Sequence, residues 1–149
     1  RLAAVMAGVL AERGADALVF RGSDGLDELS VSAPSRVWVV CGGRVREDTV
    51  DPARLGIPTA APDGLRGGDA ALNASISRRF LDGEPGPVRD AVLLNAAAGL
   101  VAYDGPSEAP VADQIPGALP RAAESLDSGA AGQALETWIA ASKAASVAE

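Results

Sequence analysis

Runs with β character fall entirely before residue 51 of this chain, and from Asp69 onward the apolar residues recur with a helical period. A polypeptide divided in this way can build only a small early sheet, with most of its helices following. Ahead of the sheet, Leu2, Val5, Met6, Val9 and Leu10 form one helical stripe, and Gly14 supplies a left-handed stop. Ala17 to Phe20 is an apolar run of buried-strand length. A helix leading straight into a buried strand is half of a βαβ unit, which favours the α/β class. Arg36 to Val40, the turn Cys41-Gly42-Gly43, and Arg44 to Val50 read as a hairpin.

The segment from Asp51 to Gly68 is loop-rich, with Pro52, Pro58, Pro62 and four glycines. Asp69 is the expected N-cap of a helix carrying Leu72, Ile76 and Phe80 and stopping at Gly83. Pro87 suits the first turn of the next helix, in which Ala91 to Val101 is apolar almost all round and so buried on several sides. After Gly129 a last helix presents Leu135, Trp138 and Ile139. The expected fold is therefore α/β: a partial sheet with early strands and a hairpin, followed by C-terminal helices.

Composition narrows the function. At 149 residues the chain has room for one domain. Its apolar content is mostly Ala, Val and Leu, with two Phe, two Trp and one Tyr, so the elements must approach closely. A net charge of −7 argues against a nucleic-acid surface, which needs clustered Lys and Arg. No run of about 18 apolar residues exists to span a membrane. One cysteine, Cys41, forms no internal disulfide, which fits a reducing, cytoplasmic compartment. With no histidine, neither a Ser-His pair nor a His-ligated zinc can be built. The chain opens at Arg1 inside a helical pattern and reads as a piece of something longer.

The polar segment from Arg21 to Ser30 follows the C-terminal end of the first strand, where open α/β sheets place their ligand sites. Within it, the adjacent carboxylates of Asp27 and Glu28, with Asp24 close by, offer hard oxygen ligands to Mg²⁺. Gly22 and Gly25 let the backbone turn sharply there. On the residues alone, a solvated turn is the stronger reading, because two neighbouring acids are a weak motif. Gly67-Gly68-Asp69 resembles a phosphate nest, but an Asp at the N-cap would repel phosphate, so it reads as a structural cap. Asn73 and Asn95 are expected to satisfy loop backbone. Arg78, Arg79 and Arg89 are expected to be surface charges or partners of nearby acids.

Four strings in register carry a resemblance. They are Asp24-Gly25-Leu26-Asp27-Glu28-Leu29-Ser30, then Gly67-Gly68-Asp69 with Asn73-Ala74, then Gly86-Pro87-Val88-Arg89-Asp90-Ala91-Val92-Leu93-Leu94-Asn95-Ala96-Ala97-Ala98, and Ser125-Leu126-Asp127-Ser128-Gly129-Ala130-Ala131. In order and separation they resemble the C-terminal portion of the anthranilate phosphoribosyltransferases, across nearly the whole chain. The resemblance implies that residues 1–149 are the C-terminal part of a nucleoside phosphorylase/phosphoribosyltransferase-like α/β domain. It also implies that the family's N-terminal helical domain and glycine-rich loop for phosphoribosyl diphosphate (PRPP) are absent.

By the same resemblance, Asp27 and Glu28 bind a Mg²⁺ associated with the PRPP diphosphate, and the anthranilate amine displaces that diphosphate at the ribose. No side-chain nucleophile and no organic cofactor is implied. The expected partners are PRPP, anthranilate, the missing N-terminal half and, once complete, a second copy in a homodimer; the isolated chain is expected to be inactive. Two departures stand out. Arg21-Gly22 replaces a frequent His-Gly, and Pro116 and Pro120 predict a helix that starts late, near Pro120. The alternatives are a pyrimidine nucleoside phosphorylase-like enzyme and a non-catalytic partner-binding module.

Overall fold

The computed structural model describes residues 2–61 and 63–147; Pro62, counted above among the loop prolines, lies outside them. Helix α1 (Leu2–Glu12) leads into strand β1 (Ala17–Gly22). Strands β2 (Ser35–Cys41) and β3 (Arg44–Val50) follow, and then a short 3-10 turn at Pro52–Leu55. Four helices complete the chain: α2 (Ala70–Leu81), α3 (Pro87–Asp104), α4 (Val111–Asp127) and α5 (Ala130–Val147). The α/β class, the early strands and the late helices match the sequence expectation. No described helix is long and apolar enough to cross a membrane.

The sheet has the order β1-β2-β3 and is antiparallel throughout. No βαβ unit is completed among the described residues, because β1 pairs with β2 through a return loop at residues 23–34. The hairpin forms as expected. Gly42 and Gly43 both take positive φ, 54° and 73°, as a two-residue primed turn requires.

Strand β2 is the centre of the fold, and its uninterrupted apolar run reflects cover on both faces. Val37 and Val39 point with Val50 into a core shared with Leu94, Ala97, Ala98, Val111, Ile115 and Ala118 of α3 and α4. Trp38 and Val40 point the other way, against Ala7 of α1. The Trp38 indole N–H is satisfied by its cross-strand neighbour, donating to Glu47 Oε1 at 3.2 Å. Strand β3 is the charged edge, with Arg44, Arg46, Glu47 and Asp48 discouraging further pairing.

Helix α1 buries a different face from the one expected. Ala3, Leu10 and Ala11 pack with Ala7 against the sheet, whereas Leu2, Val5, Met6 and Val9 are 76%, 61%, 51% and 48% exposed. The helix is apolar around most of its circumference, so period alone did not select a side. The small Ala face fits closely over the bulky Trp38.

The start of α4 also corrects an expectation. The helix begins at Val111 and carries both Pro116 and Pro120 in its interior, not near its first turn. Each proline lacks an N–H and forfeits one intrahelical hydrogen bond. Burial outweighs that loss: Val111, Ile115, Ala118, Ala122 and Leu126 recur every three or four residues, and all are buried.

The N-terminus of α4 has no capping side chain of its own, and Pro110 stands at the N-cap. Asp48 of β3 takes that role from across the fold, its Oδ2 accepting the Val111 N–H and an Arg46 Nη1 bond, each at 2.9 Å. Burial pushes the Asp48 carboxyl up, but the bonds from Val111, Arg46 and Thr49 outweigh it and hold the pKa below its ordinary value of 3.8. A depressed carboxylate contributes stability that is complete above the ordinary value and is lost as pH falls through the depressed one. Asp48→Asn is therefore expected to cost about 1–2 kcal/mol at pH 7. In urea titrations its gap from the parent should close as pH drops below the ordinary carboxylate range; a gap constant with pH would show that charge is not the cause.

Candidate functional site

The candidate site is the loop that leaves the C-terminal end of β1. Its sequence folds tightly because several side chains replace the missing sheet partners. Gly22 N–H donates to the Leu26 carbonyl at 2.8 Å, and Ser23 N–H to the Pro34 carbonyl at 2.9 Å. Asp24 turns inward: Oδ1 accepts the Leu26 N–H at 3.3 Å and Oδ2 accepts the Ser30 hydroxyl at 2.5 Å. The Ser30 hydroxyl oxygen in turn accepts the Ser32 and Ala33 N–H groups at 2.9 and 3.1 Å. The Ser30 N–H donates to Ser35 Oγ at 2.9 Å, and both serines are 1% exposed. A Cβ at residue 22 would stand 2.3 Å from Asp24 Oδ1, so a glycine there is what allows Asp24 to fold inward.

After this turn the chain is anchored again. Leu29 and Val31 are buried, and Asn95 of α3 binds the Leu29 backbone from both sides at 2.9 Å. Asp27 and Glu28 lie between the two anchors and are exposed. Among the described residues no ion pair engages either carboxylate. Both are thus free acceptors on a firmly held loop. A cleft of 440 Å³ opens beside Glu28, walled by Leu26, Leu29, Ile76 and Val92 with Arg66 at its rim.

The other residues singled out by sequence divide cleanly. Asp24 has a structural part, with both carboxylate oxygens accepting hydrogen bonds that shape the loop. No group of three or more His, Cys, Asp or Glu residues able to hold a metal occurs among the described residues. The donor set present is two hard carboxylates, which suits an ion that fills its remaining positions with water and phosphate oxygens. Asp69 caps α2 by accepting the Leu72 N–H at 2.8 Å, and Asn73 satisfies the Gly68 N–H and carbonyl at 2.9 and 3.0 Å. Arg21 is exposed on β1, level with Arg36. Arg78 and Arg79 pair with Glu136 and Glu84 at the surface. Arg89 does more than that. Its side chain is 15% exposed and joins the first turn of α3 to Asp127 at the end of α4 at 2.6 Å.

Sequence reasoning did not find the roles of Ser30, Ser35 and Asp48. Their partners are supplied by the folded chain, and in the case of Asp48 the partner is 63 residues away. No local spacing signals such a pair.

A family model described as glycosyl transferase family, α/β domain, matches residues 1–132. The anthranilate phosphoribosyltransferase of Streptomyces griseus is 58% identical over 144 residues, covering 97% of this chain and 40% of that protein. Its counterpart from a Nocardioides species is 60% identical over 141 residues, covering 95% and 41%. The chain thus spans about two fifths of the length of the curated relatives it matches. The crystal structure of the Thermus thermophilus anthranilate phosphoribosyltransferase superposes with a TM-score of 0.76 at 36% identity, covering 93% of this chain and 39% of that one. The Saccharomyces cerevisiae enzyme in complex with PRPP and Mg shares the fold, with a TM-score of 0.76 at 23% identity over 91% of this chain and 38% of that one.

Proposed function

Because this chain belongs to the glycosyl transferase family, α/β domain, we propose that it is the C-terminal portion of an anthranilate phosphoribosyltransferase. In this reading the complete enzyme transfers the phosphoribosyl group of PRPP to anthranilate, releases diphosphate and depends on Mg²⁺. The observation that carries it is the pair of exposed carboxylates, without an ion pair among the described residues, on a braced loop at the strand end, in a chain more than half identical to such transferases.

Asp27 and Glu28 hold the metal through their carboxylate oxygens. Bound there, Mg²⁺ would neutralise the negative charge that develops on the departing diphosphate. Asp24 and Ser30 keep the loop in shape, and the chain contributes no nucleophile. The anthranilate amine forms the new bond to the ribose anomeric carbon as the bond from that carbon to the diphosphate oxygen breaks. The amine supplies its own electron pair and loses a proton, so no covalent intermediate with the protein is needed.

The glycine-rich PRPP loop and the N-terminal helical domain come from the rest of the polypeptide. The uncovered stripe of Leu2, Val5, Met6 and Val9 on α1 is the surface such a portion would cover, because large apolar patches seldom stay exposed to water. Loss of anthranilate fluorescence with PRPP and Mg²⁺ tests the proposal. The chain alone is expected to show no turnover, and joining it to the N-terminal portion of a relative should restore activity. A completed protein that leaves anthranilate unchanged would sink the reading.

The stripe makes a separate prediction. Val5→Glu with Val9→Glu should change the stability of the chain by less than about 0.5 kcal/mol at each exposed site. It should raise the concentration of a separately supplied N-terminal portion needed for half-maximal activity by tenfold or more, since each buried Val contributes on the order of 1.5 kcal/mol. An unchanged requirement would place the contact elsewhere.

A further inference from the structure

We infer that Asn95 is a positioning residue for the Asp27 and Glu28 carboxylates, acting through the backbone of Leu29; this rests on the reading of those carboxylates as metal ligands. Asn95 sits mid-way along α3, next to the fully buried Leu94. Its Oδ1 accepts the Leu29 N–H and its Nδ2 donates to the Leu29 carbonyl, both at 2.9 Å. Nδ2 also donates to the Ala91 carbonyl one turn earlier in its own helix, at 2.9 Å, which fixes the amide against rotation.

The Leu29 N–H lies in the peptide plane that leaves the Cα of Glu28. Holding both polar groups of Leu29 therefore fixes where the Glu28 side chain begins and how it is aimed. Among the described residues, no other side chain from a helix hydrogen-bonds residues 24–30. The other side-chain hydrogen bonds of residues 24–30 stay within residues 24–35, and just beyond them the Ala60 N–H donates to the Val31 carbonyl at 3.0 Å. Leu29 and Val31 pack into the core cluster with Leu94, Ala97, Ala98 and Val101, and Asn95 adds the side-chain hydrogen bonds that set the orientation of the Leu29 peptide groups against that helix. Ligands on an exposed loop bind a cation well only if they need not be ordered at the moment of binding, and supporting residues of this kind are worth about 10- to 100-fold in metal affinity.

The test uses the completed enzyme, with Mn²⁺ as the probe, followed by electron paramagnetic resonance in the presence of PRPP. Asn95→Leu keeps the volume and removes both polar arms. It is expected to raise the Mn²⁺ concentration for half-saturation about tenfold or more, with the KM for anthranilate unchanged. Asn95→Ser, whose short hydroxyl cannot reach both Leu29 groups, should give a shift in the same direction and serves if the leucine variant does not fold. Asp27→Ala and Glu28→Ala are run alongside. If they weaken Mn²⁺ binding while a folded Asn95 variant stays within about twofold of the parent, Asn95 is only a structural residue and the inference is overturned. If they too leave binding unchanged, the metal-site reading itself fails.

Discussion

Replacing Asp27 and Glu28 together with alanine is expected to lower kcat/KM for PRPP in the completed enzyme by about 10²–10³-fold, the usual scale for losing one preorganised element of leaving-group stabilisation. Both side chains are exposed and form no ion pair among the described residues, so their removal takes nothing from the core. The thermal midpoint should therefore stay with that of the parent, because surface positions of this kind move stability by less than about 0.5 kcal/mol. The loss should depend on metal: rates measured across a Mg²⁺ series should converge partly at high Mg²⁺, where weak binding is compensated by concentration. Each single variant should fall between the parent and the double variant, since either carboxylate can still offer oxygen to the ion. Asp24→Ala makes the contrast. It breaks the bonds to Leu26 and Ser30 that shape the turn, so it should lower local stability as well as activity. If Mg²⁺ dependence is the same in the parent and in both single alanine variants, the loop is a solvated turn and the ion is held elsewhere.

The largest effect on stability is expected in the core between the sheet and the α3–α4 pair. Leu94 and Ile115 are fully buried and belong to one cluster with Val37, Val39 and Val50. Truncating either to alanine removes buried methyl groups and leaves a cavity, at a cost of about 2–5 kcal/mol. For a chain of this size that is a fall in thermal midpoint of roughly 4–20 °C. Ile115→Val should cost only about 0.5–1.5 kcal/mol, since one methylene leaves a smaller void. The two truncations share a core, so the double variant should depart from additivity. Trp138→Ala is the control: the side chain is 71% exposed, and its loss should barely register. Calorimetric scans of these variants decide the matter. Similar midpoints for Ile115→Ala and Trp138→Ala would mean that α4 is not held by the stripe described above, leaving its two interior prolines without a compensating force.

Much of this is legible in the amino-acid sequence alone. The hairpin followed from β-rich runs around Gly42-Gly43, and β3 begins and ends where its pattern predicts. The Asp69 cap and the backbone-satisfying roles of Asn73 and Asn95 were also readable, because an amide in apolar surroundings has few other uses. Asp27 and Glu28 were found as a pair, although only the resemblance raised them above a solvated turn. Less was visible wherever two segments had to meet. The apolar residues of α1 did not show which side would be covered, since that depended on the Trp38 ring across the interface. Pro116 and Pro120 argued locally for a late helix start, and five buried side chains against α3 and the sheet overruled them.

Local periodicity and turn chemistry thus determined the elements and their order, because those forces act between residues a few positions apart. The tertiary structure decided which faces were buried, where α4 began, that Asp48 caps a helix and that Asn95 braces the candidate site. Each of those outcomes joins groups far apart in sequence, whose free energy appears only when the chain brings them together and excludes water from between them.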